Sequence, residues 1–351
     1  MVKGMGSEYP VDKLDKFCRN LLSAVGVPEG DAAVAADVLI DTSLDGIDTH
    51  GISRLPIYLT RVKNGRINAQ PQIKVDRSGA VAAVDGDNGL GQLVAVRSME
   101  VAMGLAAEHG VGVAATRHSN HFGAASYYCK MAAARQMIGV TLSNGPAGIP
   151  PWGGRRAYFG TNPIAFAFPT DGHPVVVDMS SSTVARGNII LAAKEGRPIP
   201  EGWAIDQEGR PTTDPRKALE GAVLPVGGAK GYALALAVEV MAGILSGSAY
   251  GSEVGWIYDE SLKPTDVGHT FIAINVASLM PVQVYQERMA DMVRNVKAVP
   301  LAEGFDRIMI PGERRRFEAE KRARQGVPIS ENLRKELNQI AVEVGVEPLE
   351  G

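Results

Sequence analysis

The segment RHSNHFG, residues 117–123, lies between two stretches of different character. The preceding stretch VGVAA, residues 111–115, is an apolar run typical of a short buried strand. The following stretch AASYYCKMAAA, residues 124–134, is rich in residues that favour a helix. The segment is therefore predicted to be a strand-to-helix turn, and open α/β sheets present side chains to ligands at such turns.

The turn contains two histidines, His118 and His121. The unperturbed pKa of histidine lies closer to neutral pH than that of other side chains, so a histidine here is a candidate proton donor or acceptor. A histidine that only caps the following helix is the other interpretation, and these seven residues leave both open.

Composition excludes several classes of protein. The chain has 351 residues, 45% of them hydrophobic, which is enough for a large core in one domain or two. The net charge is −3 and the charges are mixed apart from the run Arg314-Arg315-Arg316, so no nucleic-acid or membrane partner is expected. Two cysteines, Cys18 and Cys129, give no disulfide framework, and no metal site is predicted. Without an N-terminal apolar segment or a run of membrane-spanning length, we expect a cytoplasmic protein.

Strand-like and helix-like segments alternate along the chain, which is typical of an α/β fold. Capping and periodicity predict a first helix with Asp12 as N-cap and Gly26 as stop, and a second helix at 30–44. Further helices are predicted at 92–109, 124–134, 183–194, 232–245 and 282–296, and in the tail beyond Pro311. Strands are predicted at 73–75, 80–84, 111–115, 137–142, 164–168, 175–177 and 271–276. The proline-containing stretch 197–226 is predicted to be irregular.

A second polar pattern lies at residues 49–61, THGISRLPIYLTR. On a helix, four polar side chains would share one face at roughly i, i+4 spacing: His50, Arg54, Tyr58 and Arg61. Such a face can bind a small carboxylate, because an arginine forms a two-pronged ion pair with it. Proline is tolerated only in the first turn of a helix, so Pro56 places His50 in the preceding loop. An ordinary solvated polar face is the alternative interpretation.

Two further stretches are typical of anion sites. At 175–182, VVVDMSSS, a strand ends in an acid and hydroxyls before a helix, so helix amides could face a phosphate and the carboxylate a ribose. A serine that caps the helix is the alternative. At 227–231, GGAKG opens an apolar helix like a phosphate cradle, although the Walker A spacing is absent. The Rossmann pattern G-x-G-x-x-G is also absent after every predicted strand, and His173 and His269 fall in loop-like stretches and receive no role.

Four groups of residues occur in one order: THGISRLP (49–56), SNHFG (119–123), GTNP (160–163) with DMS (178–180), and GAKGY (228–232). Together they resemble the malate/L-lactate dehydrogenase family of the second type, also called the sulfolactate-dehydrogenase-like family. The resemblance spans nearly the whole chain. Members of that family include ureidoglycolate dehydrogenase, diketogulonate reductase and reductases of cyclic imine acids such as Δ1-piperideine-2-carboxylate.

The resemblance implies a fold and an assembly. The fold is a three-layer α/β/α sandwich with a mixed sheet, a cofactor site that is not of Rossmann type, and extra N- and C-terminal helices. Three parts are expected: a helical segment at 1–70 with the carboxylate motif, an α/β core at 71–300 with the cofactor and catalytic site, and a helical tail at 301–351 that packs back on the body. Members of the family are generally homodimers, so a homodimer is expected.

The resemblance also implies the roles of individual residues. His121 is the acid/base. The carboxylate end of the substrate is bound by His50, Arg54 and Tyr58. The nicotinamide cofactor is contacted by Ser143, Asp178, Met179, Ser180 and Lys230, and by a later segment at Gly312, Glu313 and Arg314. Thr49 and Gly145 depart from residues frequent in the family, which bears on substrate shape and leaves the reaction class unchanged.

The implied function is transfer of a hydride between a nicotinamide cofactor and C2 of a small 2-hydroxy or 2-oxo acid of the malate, lactate or sulfolactate type. The cofactor is NAD or NADP, with NAD slightly favoured, and an arginine near the adenosine ribose (Arg117, Arg155 or Arg186) would favour NADP. Reduction of a cyclic imine acid is the first alternative, because the same groups serve both reactions. A non-catalytic nucleotide-binding protein is the second, and the intact set of implied site residues argues against it.

Overall fold

A seven-stranded mixed sheet forms the centre of the protein. The structure is a computed structural model and describes residues 7–259 and 263–350. The strands are β1 Ser7–Tyr9, β2 Lys74–Ser78, β3 Val81–Asp85, β4 Val111–Ser119, β5 Met137–Ser143, β6 Ile164–Phe168, β7 Val175–Met179, β8 Ala204–Ile205, β9 Pro211–Thr212, β10 Ala222–Val223, β11 Val267–Asn275 and β12 Val327–Ile329. The helices are α1 Val11–Ala24, α2 Glu29–Leu44, α3 Leu55–Lys63, α4 Gly91–His109, α5 Ala125–Ala133, α6 Arg186–Glu195, α7 Pro215–Glu220, α8 Ala229–Glu239, α9 Val282–Lys297, α10 Glu313–Gln325 and α11 Glu331–Glu343.

The order of strands in the main sheet is β2-β3-β4-β11-β5-β6-β7. β3 and β4 are parallel, and every other neighbouring pair in this sheet is antiparallel. A parallel pair requires a crossover connection, and α4 supplies it. The central strand β11 comes late in the chain and separates β4 from β5. Residues far apart in the sequence therefore meet at the centre of the sheet.

Helices cover both faces of this sheet. α4 and α5 pack on one face, where Met99 and Phe271 are fully buried. On the other face, α8 and its π-helical continuation Val240–Ile244 pack on the sheet, with Val238 against Val140. Burial of one such large apolar side chain contributes about 1.5–3 kcal/mol. The predicted three-layer α/β/α sandwich with a mixed sheet is confirmed.

The two ends of the chain form a second core beside the sheet. α1, α2 and α3 pack with α11, and the buried residues here include Leu14, Leu39, Leu59 and Leu337. The short strand β1 pairs antiparallel with β12. α3, which carries the predicted substrate motif, is thus supported by both ends of the chain.

Some boundaries differ from those predicted. β4 continues to Ser119, and the turn before α5 is confined to residues 120–124, because the polar end of the strand interrupts its apolar pattern. α1 has Pro10 at its N-cap where Asp12 was predicted. The prediction that 197–226 is irregular is wrong, since the stretch holds α7 and a small sheet of order β10-β8-β9. Strands of two residues are too short for an alternating pattern to show.

Among the residues that the structure describes, no helix is long and apolar enough to cross a membrane. Both cysteines, Cys18 and Cys129, are buried and free. Within the same described ranges, no group of three or more His, Cys, Asp or Glu side chains is placed to hold a metal ion. The cysteines therefore act as small apolar residues of the core.

Candidate active site

The turn between β4 and α5 is fixed by a buried asparagine. Asn120 Nδ2 donates to the backbone oxygen of Gly89 at 2.8 Å, and Asn120 Oδ1 accepts from Thr265 Oγ1 at 2.6 Å. The start of α4 lies directly against the turn: a Cβ atom added to Gly91 would be only 2.3 Å from the backbone oxygen of Asn120. Only glycine permits so close an approach. The backbone that carries His121 is therefore held by two other segments.

His121 is paired with Tyr58 from α3. Its Nδ1 lies 2.5 Å from the Tyr58 hydroxyl oxygen, in a hydrogen bond whose direction depends on the imidazole tautomer. Burial raises the pKa of the Tyr58 hydroxyl, which therefore stays protonated. Burial lowers the pKa of His121 well below its usual value, and the nearby imidazole of His50 and the charge of Arg54 lower it further. The imidazole is therefore neutral near neutral pH in the free protein.

A second histidine stacks on the first. The rings of His50 and His121 have centroids 5.5 Å apart and planes inclined by 29°. His50 lies in the turn before α3, as Pro56 predicted, and its Nδ1 is 2.9 Å from Thr49 Oγ1. Burial, followed by the charge of Arg54, lowers the pKa of His50 to about 4. Both imidazoles are thus uncharged near neutral pH.

Arg54 brings the positive charge of this pocket. Its Nε donates to the backbone oxygen of Thr49 at 2.6 Å, and its Nη1 donates to the Tyr258 hydroxyl oxygen. No acidic side chain in the described part of the chain forms an ion pair with it, so its charge is available to a substrate carboxylate. Arg61 was expected on the same face but is buried, where it donates to the Ile257 oxygen at 3.1 Å.

The predicted cofactor residues on β7 and α10 lie at the edge of the sheet. Asp178 Oδ2 accepts from Arg315 Nη1 at 2.8 Å and from the Ser126 backbone nitrogen at 3.2 Å. The Val176 backbone nitrogen donates to the Pro311 oxygen at 3.1 Å, which ties the tail to β7. A cleft of about 410 Å³ lies between the two segments, and its lining includes Asp178, Met179, Gly312, Arg314 and Arg315.

Ser180 and Lys230 lie on neighbouring segments. Ser180 Oγ is 2.8 Å from Ser182 Oγ, and Ser182 forms an isolated bridge with Pro225 just before α8. Lys230 is exposed in the first turn of α8, and it forms no ion pair with the residues that the structure describes. A cation that pairs with none of the described residues therefore lies on the segment beside two linked hydroxyls.

Two predicted cofactor residues bond within the protein. The Glu313 carboxylate accepts from the Ile310 backbone nitrogen at 2.9 Å and from Lys297. Ser143 is buried at the end of β5, where its Oγ donates to the Asn144 oxygen at 2.9 Å. These side chains fix the tail and the strand end on which they lie.

The pocket and the cleft are electrostatically connected. After the larger effects of burial and Arg54, Asp178 raises the pKa of His50 and Arg315 lowers it. The structure thus brings the four predicted acid/base and substrate residues into one half-buried pocket. It places the predicted residues of β7 and the tail around an adjacent cleft.

Sequence reasoning missed three residues here. Arg315, rather than its neighbour Arg314, forms the ion pair at the edge of the sheet. Tyr258 bonds to the predicted substrate arginine across 204 positions of the chain. His269 was expected in a loop without a partner, which is wrong, because it is fully buried on the central strand β11. The apolar run on both sides of it, VGHTFIAI, was the signal that could have revealed a strand.

An imidazole with a lowered pKa lies in a half-buried pocket beside an arginine, an arrangement typical of an enzyme that acts on an acidic substrate. Comparison with known proteins specifies the family. The family model described as malate/L-lactate dehydrogenase matches residues 9–338. The chain therefore belongs to the malate/L-lactate dehydrogenase family, as its four motifs predicted.

Individual relatives cover nearly the whole chain. L-sulfolactate dehydrogenase of Methanocaldococcus jannaschii is 43% identical over 335 residues, which cover 94% of this chain and 95% of that protein. A solved structure of sulfolactate dehydrogenase from that organism has a TM-score of 0.91 at 42% identity and covers 97% of this chain and 98% of the other. Malate dehydrogenase of Pyrococcus horikoshii is 39% identical over 349 residues, 97% of this chain and 96% of that protein. The structure of Δ1-piperideine-2-carboxylate reductase from Pseudomonas syringae has a TM-score of 0.86 at 30% identity, covering 95% of this chain and 100% of the other.

Proposed function

We propose that this protein is an NAD(P)-dependent oxidoreductase that interconverts a 2-hydroxy acid of the malate, lactate or sulfolactate type and the corresponding 2-oxo acid. One observation carries the proposal: the His121–Tyr58 pair lies in a half-buried pocket beside Arg54, whose charge no acidic side chain of the described residues neutralises. Membership of the family and the names of its relatives support the same reaction.

His121 performs the proton transfer in this proposal. Arg54 binds the substrate carboxylate through its guanidinium, beside His50, and so fixes the position of C2. In the tautomer that serves this role, Nδ1–H donates to the Tyr58 hydroxyl oxygen, and Nε2 is the nitrogen left to exchange a proton with the substrate oxygen. During oxidation Nε2 accepts the hydroxyl proton. During reduction the imidazolium returns it to the developing alkoxide, an acid contribution worth roughly 10²–10⁴ in rate.

The lowered pKa of His121 couples protonation of the imidazole to binding of the substrate. In the free protein the neutral imidazole is ready to act as a base, which suits oxidation of the hydroxy acid. A carboxylate bound at Arg54 offsets the positive charge there and raises the pKa of His121. Binding of the 2-oxo acid is therefore expected to be accompanied by uptake of one proton.

The edge of the sheet suits a nicotinamide dinucleotide. Lys230 and Arg314 are exposed and form no ion pair with the described residues, so both are available to phosphate groups. Asp178, with Met179 and Gly312 beside it, would border the sugar, and Ser143 would lie toward the nicotinamide end. When bound, NAD or NADP supplies or accepts the hydride.

Two of the three arginines first considered for the choice between NAD and NADP bond within the protein. Arg117 forms an ion pair with Asp85, and Arg186 donates to the Leu219 oxygen. Neither these two nor Arg155 lines the cleft between β7 and α10. We keep NAD as the favoured cofactor, and the assay below includes both.

A homodimer is proposed as the working assembly. α9 buries none of its side chains within the described chain, although it is amphipathic. Large apolar side chains near it are exposed, including Leu279 at 75% and Phe305 at 70%. A second copy would remove such a surface from water. Light scattering on the purified protein gives the mass directly, and a monomer would contradict the assembly without affecting the site.

Reduction of a cyclic imine acid is the alternative function. The similarity to Δ1-piperideine-2-carboxylate reductase favours it as the second candidate. The carbon of a protonated imine is already electron-poor, so this reaction needs less proton donation than a ketone. Loss of His121 is therefore expected to reduce imine turnover less than 2-oxo acid turnover.

The test is oxidation of NADH and NADPH with a panel of substrates: pyruvate, oxaloacetate, sulfopyruvate, diketogulonate and the two cyclic imine acids. Turnover of an open-chain 2-oxo acid is expected, and it would identify the cofactor and the substrate together. Turnover of the cyclic imines alone would replace the proposed function by its alternative. Absence of any NAD(P)H binding would contradict both.

A further inference from the structure

His269 is a buried histidine that the proposed reaction does not use. It lies on the central strand β11, and its exposed fraction is 0%. In the ladder it is opposite Ser143 of β5 on one side and Thr116 of β4 on the other. Because buried polar groups are nearly always hydrogen-bonded, each ring nitrogen of this side chain requires a partner.

A β-bulge brings a second serine to the ring. Val267 pairs with Ser119, and His269 pairs with Thr116. Over this interval β4 therefore contains one residue more than β11. His118 lies in this extra part of β4 and has a left-handed backbone with φ of 50°. The bulge leaves Ser119 diagonal to His269 on the same face of the sheet.

The two serines satisfy both ring nitrogens. His269 Nδ1 lies 2.9 Å from Ser143 Oγ, and Nε2 lies 2.9 Å from Ser119 Oγ. Ser143 donates its hydroxyl proton to the Asn144 oxygen, so it accepts from Nδ1–H. With Nδ1 protonated, Nε2 is the acceptor of the neutral ring, and the Ser119 hydroxyl at 2.9 Å is a donor within reach. Burial lowers the pKa of His269 to about 3, so the ring stays neutral.

The same ring touches the acid/base turn on both sides of His121. Ser119 precedes His121 by two residues, and Phe122 follows it. Phe122 stacks on His269 with ring centroids 4.4 Å apart and planes inclined by 12°. The remaining contact, Ser143, is the residue proposed at the nicotinamide end. One imidazole therefore spans the turn that carries the acid/base and the strand end proposed to hold the cofactor.

We propose that His269 is a positioning residue that sets the spacing between His121 and a cofactor bound at Ser143. The effect of His269 on catalysis rests on the proposed function. Asparagine and glutamine separate its two hydrogen bonds. The amide nitrogen of His269→Asn takes the place of Nδ1 and keeps the bond to Ser143, whereas the amide oxygen of His269→Gln reaches the place of Nε2 and keeps the bond to Ser119.

The experiment compares His269→Asn, His269→Gln and His269→Ala with a matched control. Thr116→Val removes another buried hydrogen bond of β4, that from Thr116 Oγ1 to Ser98 Oγ at 2.9 Å, and leaves both hydrogen bonds of the His269 ring in place. Steady-state kinetics give kcat and KM, thermal unfolding gives stability, and fluorescence titration with NADH and NADPH gives cofactor affinity without any substrate.

The two amide variants are expected to differ. His269→Asn should bind the cofactor like the wild type and lose about 10–100-fold in kcat, because a shift of about 1 Å in the acid/base can cost about 10²-fold. His269→Gln should weaken cofactor binding about tenfold, since it loses the bond that orients Ser143. The control should alter unfolding temperature and leave both kinetic constants within about twofold of the wild type.

Equal losses of stability and activity in every His269 variant, with no difference between kcat and cofactor affinity, would overturn the proposal and leave a purely structural role. Wild-type behaviour of His269→Ala would overturn it too. If the wild type turns over no member of the panel, the proposed function fails separately. The titrations then decide the inference, because His269→Gln must bind NAD(P)H more weakly than His269→Asn.

Discussion

The pocket around His121 and the cleft between β7 and α10 differ in the charge and the exposure of their side chains. In the pocket, burial lowers the pKa of both histidines, and their polar atoms bond to neighbouring side chains. In the cleft, Arg314 stays exposed, and only Arg315 is paired, with Asp178. Buried neutral groups respond strongly to a charge that develops beside them, whereas exposed cations hold charges that are already present and are screened by salt. Substitutions in the two regions should therefore change different kinetic constants.

The largest effect is expected from His121→Ala. Turnover of the 2-oxo acid should fall by roughly 10²–10⁴, because the acid/base is lost, while cofactor affinity stays within about threefold of the wild type. Steady-state kinetics and fluorescence titration measure the two quantities. His118→Ala is the matched control: it removes a histidine three positions earlier whose Nδ1 bonds to Asp85 at 2.9 Å, and it should retain turnover. Near-normal turnover of His121→Ala would end the assignment of the acid/base.

A smaller effect within the same pocket is expected from Arg54→Lys. Lysine keeps the charge but cannot reproduce the fork of the guanidinium, so KM for the acid should rise about tenfold with a smaller change in kcat. Arg19→Lys, on the exposed face of α1, is the control and should leave KM unchanged. An unchanged KM in Arg54→Lys would count against its role at the carboxylate.

The smallest effects are expected at the two exposed cations, Arg314 of the cleft and Lys230 at the start of α8. Arg314→Gln and Lys230→Gln should each raise KM for the cofactor by up to about fivefold at low salt, because exposed ion pairs contribute about 0.2–1 kcal/mol. Added salt should reduce the difference from the wild type. Arg324→Gln, near the other end of α10, serves as the control. A large loss of kcat in either of these two variants, with no change in KM, would break the division between the two regions.

The sequence was informative where a contact lies within one motif. His50 and Arg54 fall on one short segment, and Pro56 correctly placed His50 in the turn before α3. The approach of that segment to His121 could be expected only from the resemblance, since the Tyr58–His121 bond joins residues 63 positions apart. Local periodicity carries no information about pairings of this length.

Other parts of the site depend on strand pairing. His269 meets Ser119 across 150 positions, because β11 inserts between β4 and β5. This contact depends on the bulge at His118. The bulge is marked by a left-handed backbone conformation, which cannot be predicted from a pattern of side chains. Likewise, three consecutive arginines in the tail look alike in sequence, and only the position of β7 singles out Arg315.

The most direct test of a buried, neutral acid/base is the pH dependence of kcat/KM for oxidation of the hydroxy acid, measured on the wild type and His121→Ala side by side. This constant reports the ionisation of the free enzyme, and the reaction requires unprotonated His121. Because the pKa of His121 is lowered well below its ordinary 6.5, the base form should persist as the pH falls. We expect the wild-type value to be maintained as the pH falls through 6.5, with His121→Ala roughly 10²-fold or more lower throughout. A wild-type loss centred near the ordinary histidine pKa, or overlapping profiles for the two proteins, would contradict it.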